Sequence, residues 1–184
     1  MIFIDLDNTK ILKHIENMNY LITGLPGVGK TTILKELGAL LGDRASGFLT
    51  IEVKEGKKRI GFDIQTFDGH SGIFARESLP SRFHIGRYGV DLDSFERIAI
   101  PALKPILNKI LIIDEIGKME LRSNRFRDAL LHALDSDSPL VAAIMQSENS
   151  FANSIKARSD CKLIEATLKN REYLPERIYK LCAG

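Results

Sequence analysis

Eight consecutive residues, Gly24-Leu25-Pro26-Gly27-Val28-Gly29-Lys30-Thr31, carry the spacing G-x-x-x-x-G-K-[ST]. Glycines there remove Cβ atoms that would hold backbone N–H groups away from an anion, and a helix opening at the lysine adds its positive end. The chemistry this implies is triphosphate binding. Lys30 reaches the β- and γ-phosphate oxygens, Thr31 coordinates Mg²⁺, and Thr32 donates to the α-phosphate. A second group fits the first: Ile110-Leu111-Ile112-Ile113-Asp114-Glu115 is an apolar run ending in two adjacent carboxylates. Asp114 is placed to hold the Mg²⁺ hydration shell opposite Thr31, so Thr31 and Asp114 are the expected metal residues. Glu115, the next position along the pleat, is the expected base for an attacking water, with Glu120 the alternative. Lys118 follows closely enough to approach the γ-phosphate and supply the charge that an arginine finger provides elsewhere. The alternative for Lys118 is a surface lysine near a helix start.

Such groups need a strand before the glycine-rich turn and a helix after it. Residues 19–23 form a short apolar run, and residues 31–41 place Ile33, Leu34, Leu37, Leu40 and Leu41 at helical spacing. Residues 47–53 and 59–67 alternate on either side of Glu55-Gly56-Lys57-Lys58, which predicts an antiparallel hairpin added to one side of the sheet. Residues 68–72 and 77–89 are rich in Gly, Ser, Pro and charge and read as surface loops. Residues 91–107 have a helical pattern that Pro101 and Pro105 must interrupt. Beyond them, strands at 109–113, 140–145 and 162–167 alternate with helices at 124–134, 149–157 and 173–181. Continuous apolar strands alternating with helices predict a mostly parallel α/β sheet covered on both faces.

Together with that order, four runs carry a resemblance: the phosphate loop; Glu52-Val53-Lys54-Glu55-Gly56 followed by Lys58-Arg59-Ile60-Gly61-Phe62-Asp63; Gly86-Arg87-Tyr88-Gly89-Val90-Asp91; and Asp114-Glu115-Ile116-Gly117-Lys118-Met119-Glu120. The chain resembles the THEP1 nucleoside-triphosphatase family from about Asn19 onward, with Asn170-Arg171 before the last helix. The resemblance implies a RecA-like P-loop fold and Mg²⁺-dependent hydrolysis of several nucleoside triphosphates to the diphosphate and phosphate. Gly117 then counts among the nucleotide-contacting positions. Asn170 and Arg171 do so because a P-loop fold often places groups around the base after its last strand. Arg87 in its glycine-flanked turn is a further candidate for phosphate stabilisation or partner contact. No Asn-Lys-x-Asp guanine-reading motif is present, so broad base selectivity is expected.

Length and charge bound the rest. The 184 residues predict one domain, divided here into an N-terminal extension, 1–18, and the P-loop domain, 19–184. Ile11, Leu12, Ile15 and Met18 share a helical face, so the extension is expected to pack on the domain. Asp5-Leu6-Asp7-Asn8-Thr9 resembles the first motif of haloacid-dehalogenase phosphatases, but the phosphate loop begins too soon after it to leave room for that fold. A net charge of +2 and the lack of a basic-aromatic stripe argue against a nucleotide-dependent RNA-binding module, one alternative function. The other, a P-loop nucleoside or nucleotide kinase, typically carries an arginine-rich lid that is not evident here. No apolar run approaches the ~20 residues needed to cross a bilayer, and no secretion signal opens the chain. Cys161 and Cys182 lack metal-ligand spacing and read as reduced thiols, which predicts a cytoplasmic protein. His14, His70, His84 and His132 have no ligand-like spacing. The expected partner is the nucleoside triphosphate itself; a protein partner is not legible.

Overall fold

The computed structural model describes residues 18–183. The proposed extension, with Asp5 and Asp7, lies outside the described residues apart from Met18, which packs against the core. Strand β1 (Asn19–Thr23) runs into the glycine-rich turn and helix α1 (Lys30–Leu41). There follow β2 (Ala45–Glu55), β3 (Lys58–Thr66), β4 (Ser71–Arg76), β5 (His84–Ile85), β6 (Tyr88–Val90) and α2 (Leu92–Ala102). The chain continues through β7 (Ile110–Ile116), α3 (Asn124–Leu134), β8 (Leu140–Ile144), α4 (Ser150–Lys156), β9 (Cys161–Glu165) and α5 (Leu174–Ala183).

Among the described residues these strands make one nine-stranded sheet in the order β5-β6-β4-β3-β2-β7-β8-β1-β9. From β2 to β9 all neighbours are parallel, with Ile22 opposite Ala143 on one side and Ile164 on the other. Their side chains show why the runs are continuously apolar. Tyr20, Ile22, Ile110, Ile112, Val141 and Ala143 face the layer of α1 and α5, while Leu21, Leu111, Ile113, Leu140 and Ala142 face that of α2, α3 and α4. Period-two alternation here distributes apolar residues between two buried faces rather than between core and solvent. Under α2 and α3 a cluster of Phe48, Phe74, Phe95 and Phe126 ties the antiparallel strands to the parallel ones, with Phe74 and Phe95 stacked at 4.6 Å.

The α/β architecture, mostly parallel at its centre, matches the sequence expectation; the antiparallel addition is larger than a hairpin. The stretch 77–89, expected to be loop, contains β5 and the start of β6, which pair across a two-residue turn at Gly86-Arg87. Strands of two and three residues are too short to leave a readable alternation. The helix expected over 91–107 ends at Ala102 with Pro101 in its last turn, since Pro105 disfavours helical backbone at Lys104. Among the described residues no helix is long and apolar enough to cross a membrane.

Candidate active site

The phosphate loop leaves the carboxyl end of β1 with Gly24 at φ +148°, and a Cβ there would lie 2.6 Å from the Ala166 carbonyl oxygen. Only glycine lets the loop pass that close to the turn after β9. Gly29, at φ +109°, starts α1 in left-handed backbone without a side-chain cap, and the first turn of α1 holds no acid. The amides of that turn therefore have no side-chain acceptor, and the helix's positive end faces the loop. Leu25, Pro26 and Gly27 are exposed, whereas Val28 is buried in the layer of α1 and α5 and offers the site only its backbone. Lys30 Nζ donates to the Gly24 carbonyl at 3.1 Å, folding back across the loop.

Asp114, only 2% exposed, joins the two halves of the site. Its Oδ1 accepts from Thr31 Oγ1 at 3.0 Å, and its Oδ2 accepts from Thr50 Oγ1 at 3.1 Å. Burial pushes its carboxyl up to about 6; hydrogen bonds from Thr31 and Thr50 oppose this and the neighbouring Glu115 adds to it. A divalent cation suits the Thr31–Asp114 pair: both donors are hard oxygens, and added positive charge would offset the desolvation that now raises this carboxyl. Among the described residues no cluster of three His, Cys, Asp or Glu side chains offers another metal site.

Beside this pair opens a cavity of about 560 Å³. Gly24, Pro26 and Lys30 form one edge, Glu115, Gly117, Lys118 and Glu120 a second, and Gln146 and Ser147 the end beyond β8. Glu120 is almost fully buried, and burial pushes its carboxyl up to about 8, with Glu115 and Asp114 adding to the rise. A Cβ at Gly117 would lie 2.8 Å from Glu120 Oε2 and 3.4 Å from Glu115 Cγ, so this glycine lets the two glutamates close around it.

These two raised carboxyls carry a pH prediction. Both keep their protons in the folded protein at pH values where the unfolded chain, near its ordinary 3.8 and 4.5, has released them. Their contribution to stability is therefore fullest in acid, below the unfolded values, and is lost as pH rises, by about 6 for Asp114 and by about 8 for Glu120. We expect the metal-free protein's Tm to fall by roughly 5–10 °C between about pH 6 and pH 8.5. Glu120→Gln should remove most of that slope. An unchanged slope in the variant would mean that another group titrates.

Not every expected residue faces this cavity. Thr32 lies exposed in the first turn of α1 and does not line it. Asn170 is engaged within its own turn, accepting from Thr167 N at 2.8 Å and donating to the Glu165 carbonyl at 2.9 Å. Arg171 leans over the other side of the phosphate loop, its Cδ 3.8 Å from where a Gly29 Cβ would stand. Arg87 is held on the antiparallel strands by Glu77 at 2.7 Å and by the Tyr88 hydroxyl, and does not line the cavity. Thr50, Gln146 and Ser147 line the cavity without any sequence signal: a threonine in an alternating strand and polar residues after a buried one are ordinary.

A protein-family model described as NTPase matches residues 19–179. The nucleoside-triphosphatase THEP1 of Thermotoga maritima is 45% identical over 163 residues, covering 88% of this chain and 93% of that protein. The crystal structure of THEP1 from Aquifex aeolicus superposes with a TM-score of 0.83 at 39% identity, covering 91% of this chain and all of that one. The solution structure of a human cancer-related nucleoside triphosphatase gives 0.76 at 33% identity, over 89% of this chain and 96% of that one.

Proposed function

The chain belongs to the THEP1 nucleoside-triphosphatase family and is a nucleoside-triphosphate hydrolase, and on that premise we propose Mg²⁺-dependent cleavage of nucleoside 5′-triphosphates to diphosphate and phosphate with broad base selectivity. The observation that carries this reading is the convergence of Lys30, the Thr31–Asp114 pair and Glu115 at one end of the phosphate loop. Loop amides and Lys30 hold the β- and γ-phosphates. Thr31 and Asp114 would hold Mg²⁺, which when bound neutralises charge developing on the phosphate oxygens. Glu115 takes a proton from water as its oxygen bonds to the γ-phosphorus and the bond to the leaving diphosphate breaks. Lys118, exposed at the cavity's edge, adds positive charge towards the same phosphate. Arg171, and the Asn170 turn that carries it, flank the loop on the side proposed for the nucleoside. The two free thiols, Cys161 and Cys182, accord with the cytoplasmic location that forms part of this proposal.

Phosphate release from ATP, GTP, CTP and UTP, with Mg²⁺ titrated, tests the reading. Contacts to phosphate do not discriminate bases, so kcat/KM should vary by no more than about two orders of magnitude across the four. A preference of ~10⁴ for one of them would require a polar base pocket and overturn broad selectivity. Asp114→Asn should raise the Mg²⁺ concentration for half-maximal rate by about 10–100-fold, because an amide is a weaker partner for a hard cation or its hydration waters. An unshifted Mg²⁺ requirement would remove Asp114 from the metal site.

A further inference from the structure

The cavity beside the phosphate loop has room for more than the γ-phosphate and an attacking water. Lys30 at its edge reserves part of the 560 Å³ for phosphate and Mg²⁺, yet the whole falls in the range of roughly 300–1,000 Å³ typical of sites that hold a small organic molecule. Its walls also differ from those of a phosphate site: Phe62, Phe74 and Ile85 come from the antiparallel strands, and Met119 and Met145 from the loops after β7 and β8. These apolar groups offer nothing to a triphosphate. The loop's direction rules out the nucleotide's own base as the occupant on the reading given above, since Lys30, which serves the β- and γ-phosphates, lines the cavity. Thr32 and Arg171, on the α-phosphate and nucleoside side, do not.

We propose that this cavity is a second substrate subsite for a neutral, ring-bearing alcohol of the nucleoside class, to which the enzyme transfers the γ-phosphoryl group in competition with water. The inference rests on the nucleotide-binding reading of the same site. Phenylalanine and methionine side chains suit a planar heterocycle, and the Gln146 amide near the mouth can pair with its polar edge. Once a triphosphate occupies Lys30 and Lys118, the Glu115 carboxylate is what a charged acceptor would meet in this space, so one already bearing a phosphate is disfavoured. In the transfer, the acceptor's hydroxyl oxygen forms a bond to the γ-phosphorus while the bond from that phosphorus to the bridging oxygen breaks. The hydroxyl proton goes to the Glu115 carboxylate, and the nucleoside diphosphate leaves with the bridging oxygen. No redox partner is needed. The sequence shows no arginine-rich lid to exclude water, so ester and free phosphate should form side by side.

The test incubates the full chain with γ-labelled ATP, Mg²⁺ and, in turn, adenosine, guanosine, cytidine and uridine, and resolves labelled phosphate from labelled nucleoside monophosphate. The proposal expects labelled ester with at least one nucleoside, and an ester-to-phosphate ratio that drops about tenfold or more in both Phe62→Ala and Ile85→Ala. Two substitutions on different strands guard against misfolding of one, and a thermal melt of each checks that the fold persists. Phosphate release without ester for all four nucleosides overturns the transfer and leaves the hydrolase reading standing. Neither product overturns both. Ester whose ratio to phosphate is unchanged in two folded variants places the acceptor outside this cavity and overturns the assignment.

Discussion

Glu115→Gln should lower kcat by about 10²–10⁴ while changing the affinity for Mg²⁺-nucleotide less than about threefold. The amide keeps the shape of the side chain and removes the proton acceptor, so only a step that moves a proton should suffer. The geometry separates this residue from its neighbours. Asp114 has both oxygens engaged by Thr31 and Thr50, and its burial suits it to hold a cation rather than to exchange protons with a substrate. Glu120 lines the same cavity, but burial pushes its carboxyl up to about 8, which favours its protonated form in the metal-free protein at neutral pH and makes it the poorer proton acceptor. Single-turnover phosphate release at saturating nucleotide, beside equilibrium binding of the same nucleotide, measures the two quantities separately. A near-unchanged rate in Glu115→Gln would exclude Glu115 as the base. In that case a Glu120→Gln loss that grows above pH 8 would point to Glu120, and no loss in either variant would favour proton transfer to the substrate's own phosphate.

The parts of this site that could be read from the chain alone are those whose chemistry demands contiguity. A phosphate cradle must be one uninterrupted turn, so Gly24 to Thr31 announces itself by spacing. Asp114 and Glu115 are legible because two acids closing a continuously apolar strand contradict the burial around them. Thr50 is just as close to Asp114 as Thr31 is, yet nothing in an alternating strand marks one threonine out. Its role arises only when β2 and β7 pair in parallel, with Phe48 opposite Ile113, which brings the residues just beyond into reach. Gln146 and Ser147 enter the site in the same way, through the neighbouring place of β8 in the sheet. Asn170 shows the converse: it stands in sequence where a base-contacting group is expected, and its side chain closes a local turn. The strands β5 and β6 carry no signal for a different reason: at two and three residues they are too short to show a repeated alternation.

Lys30→Ala should reduce kcat/KM by about 10³-fold or more, through both a higher KM and a lower kcat. The ammonium rests 3.1 Å from the Gly24 carbonyl oxygen, held across the mouth of the loop that is to receive the β- and γ-phosphates. Moving it from that carbonyl to phosphate exchanges a neutral acceptor for charged ones and needs no rearrangement of the backbone. Because charge on the γ-phosphate and the leaving oxygen exists before the reaction and is redistributed during it, the lysine contributes in the ground state and more strongly in the transition state. The effect is therefore expected to differ in kind from that of Glu115→Gln, where binding survives. Stability should barely change, since the substitution removes one part-exposed hydrogen bond and no core packing. A melt within about 2–3 °C of the unaltered protein would confirm that the lost activity is not lost fold. Lys30→Arg should not rescue turnover, as a planar five-donor fork cannot replace a compact ammonium in so narrow a turn. If Lys30→Ala raised KM and left kcat intact, the lysine would serve binding alone, and the transition-state charge would have to be met by Lys118.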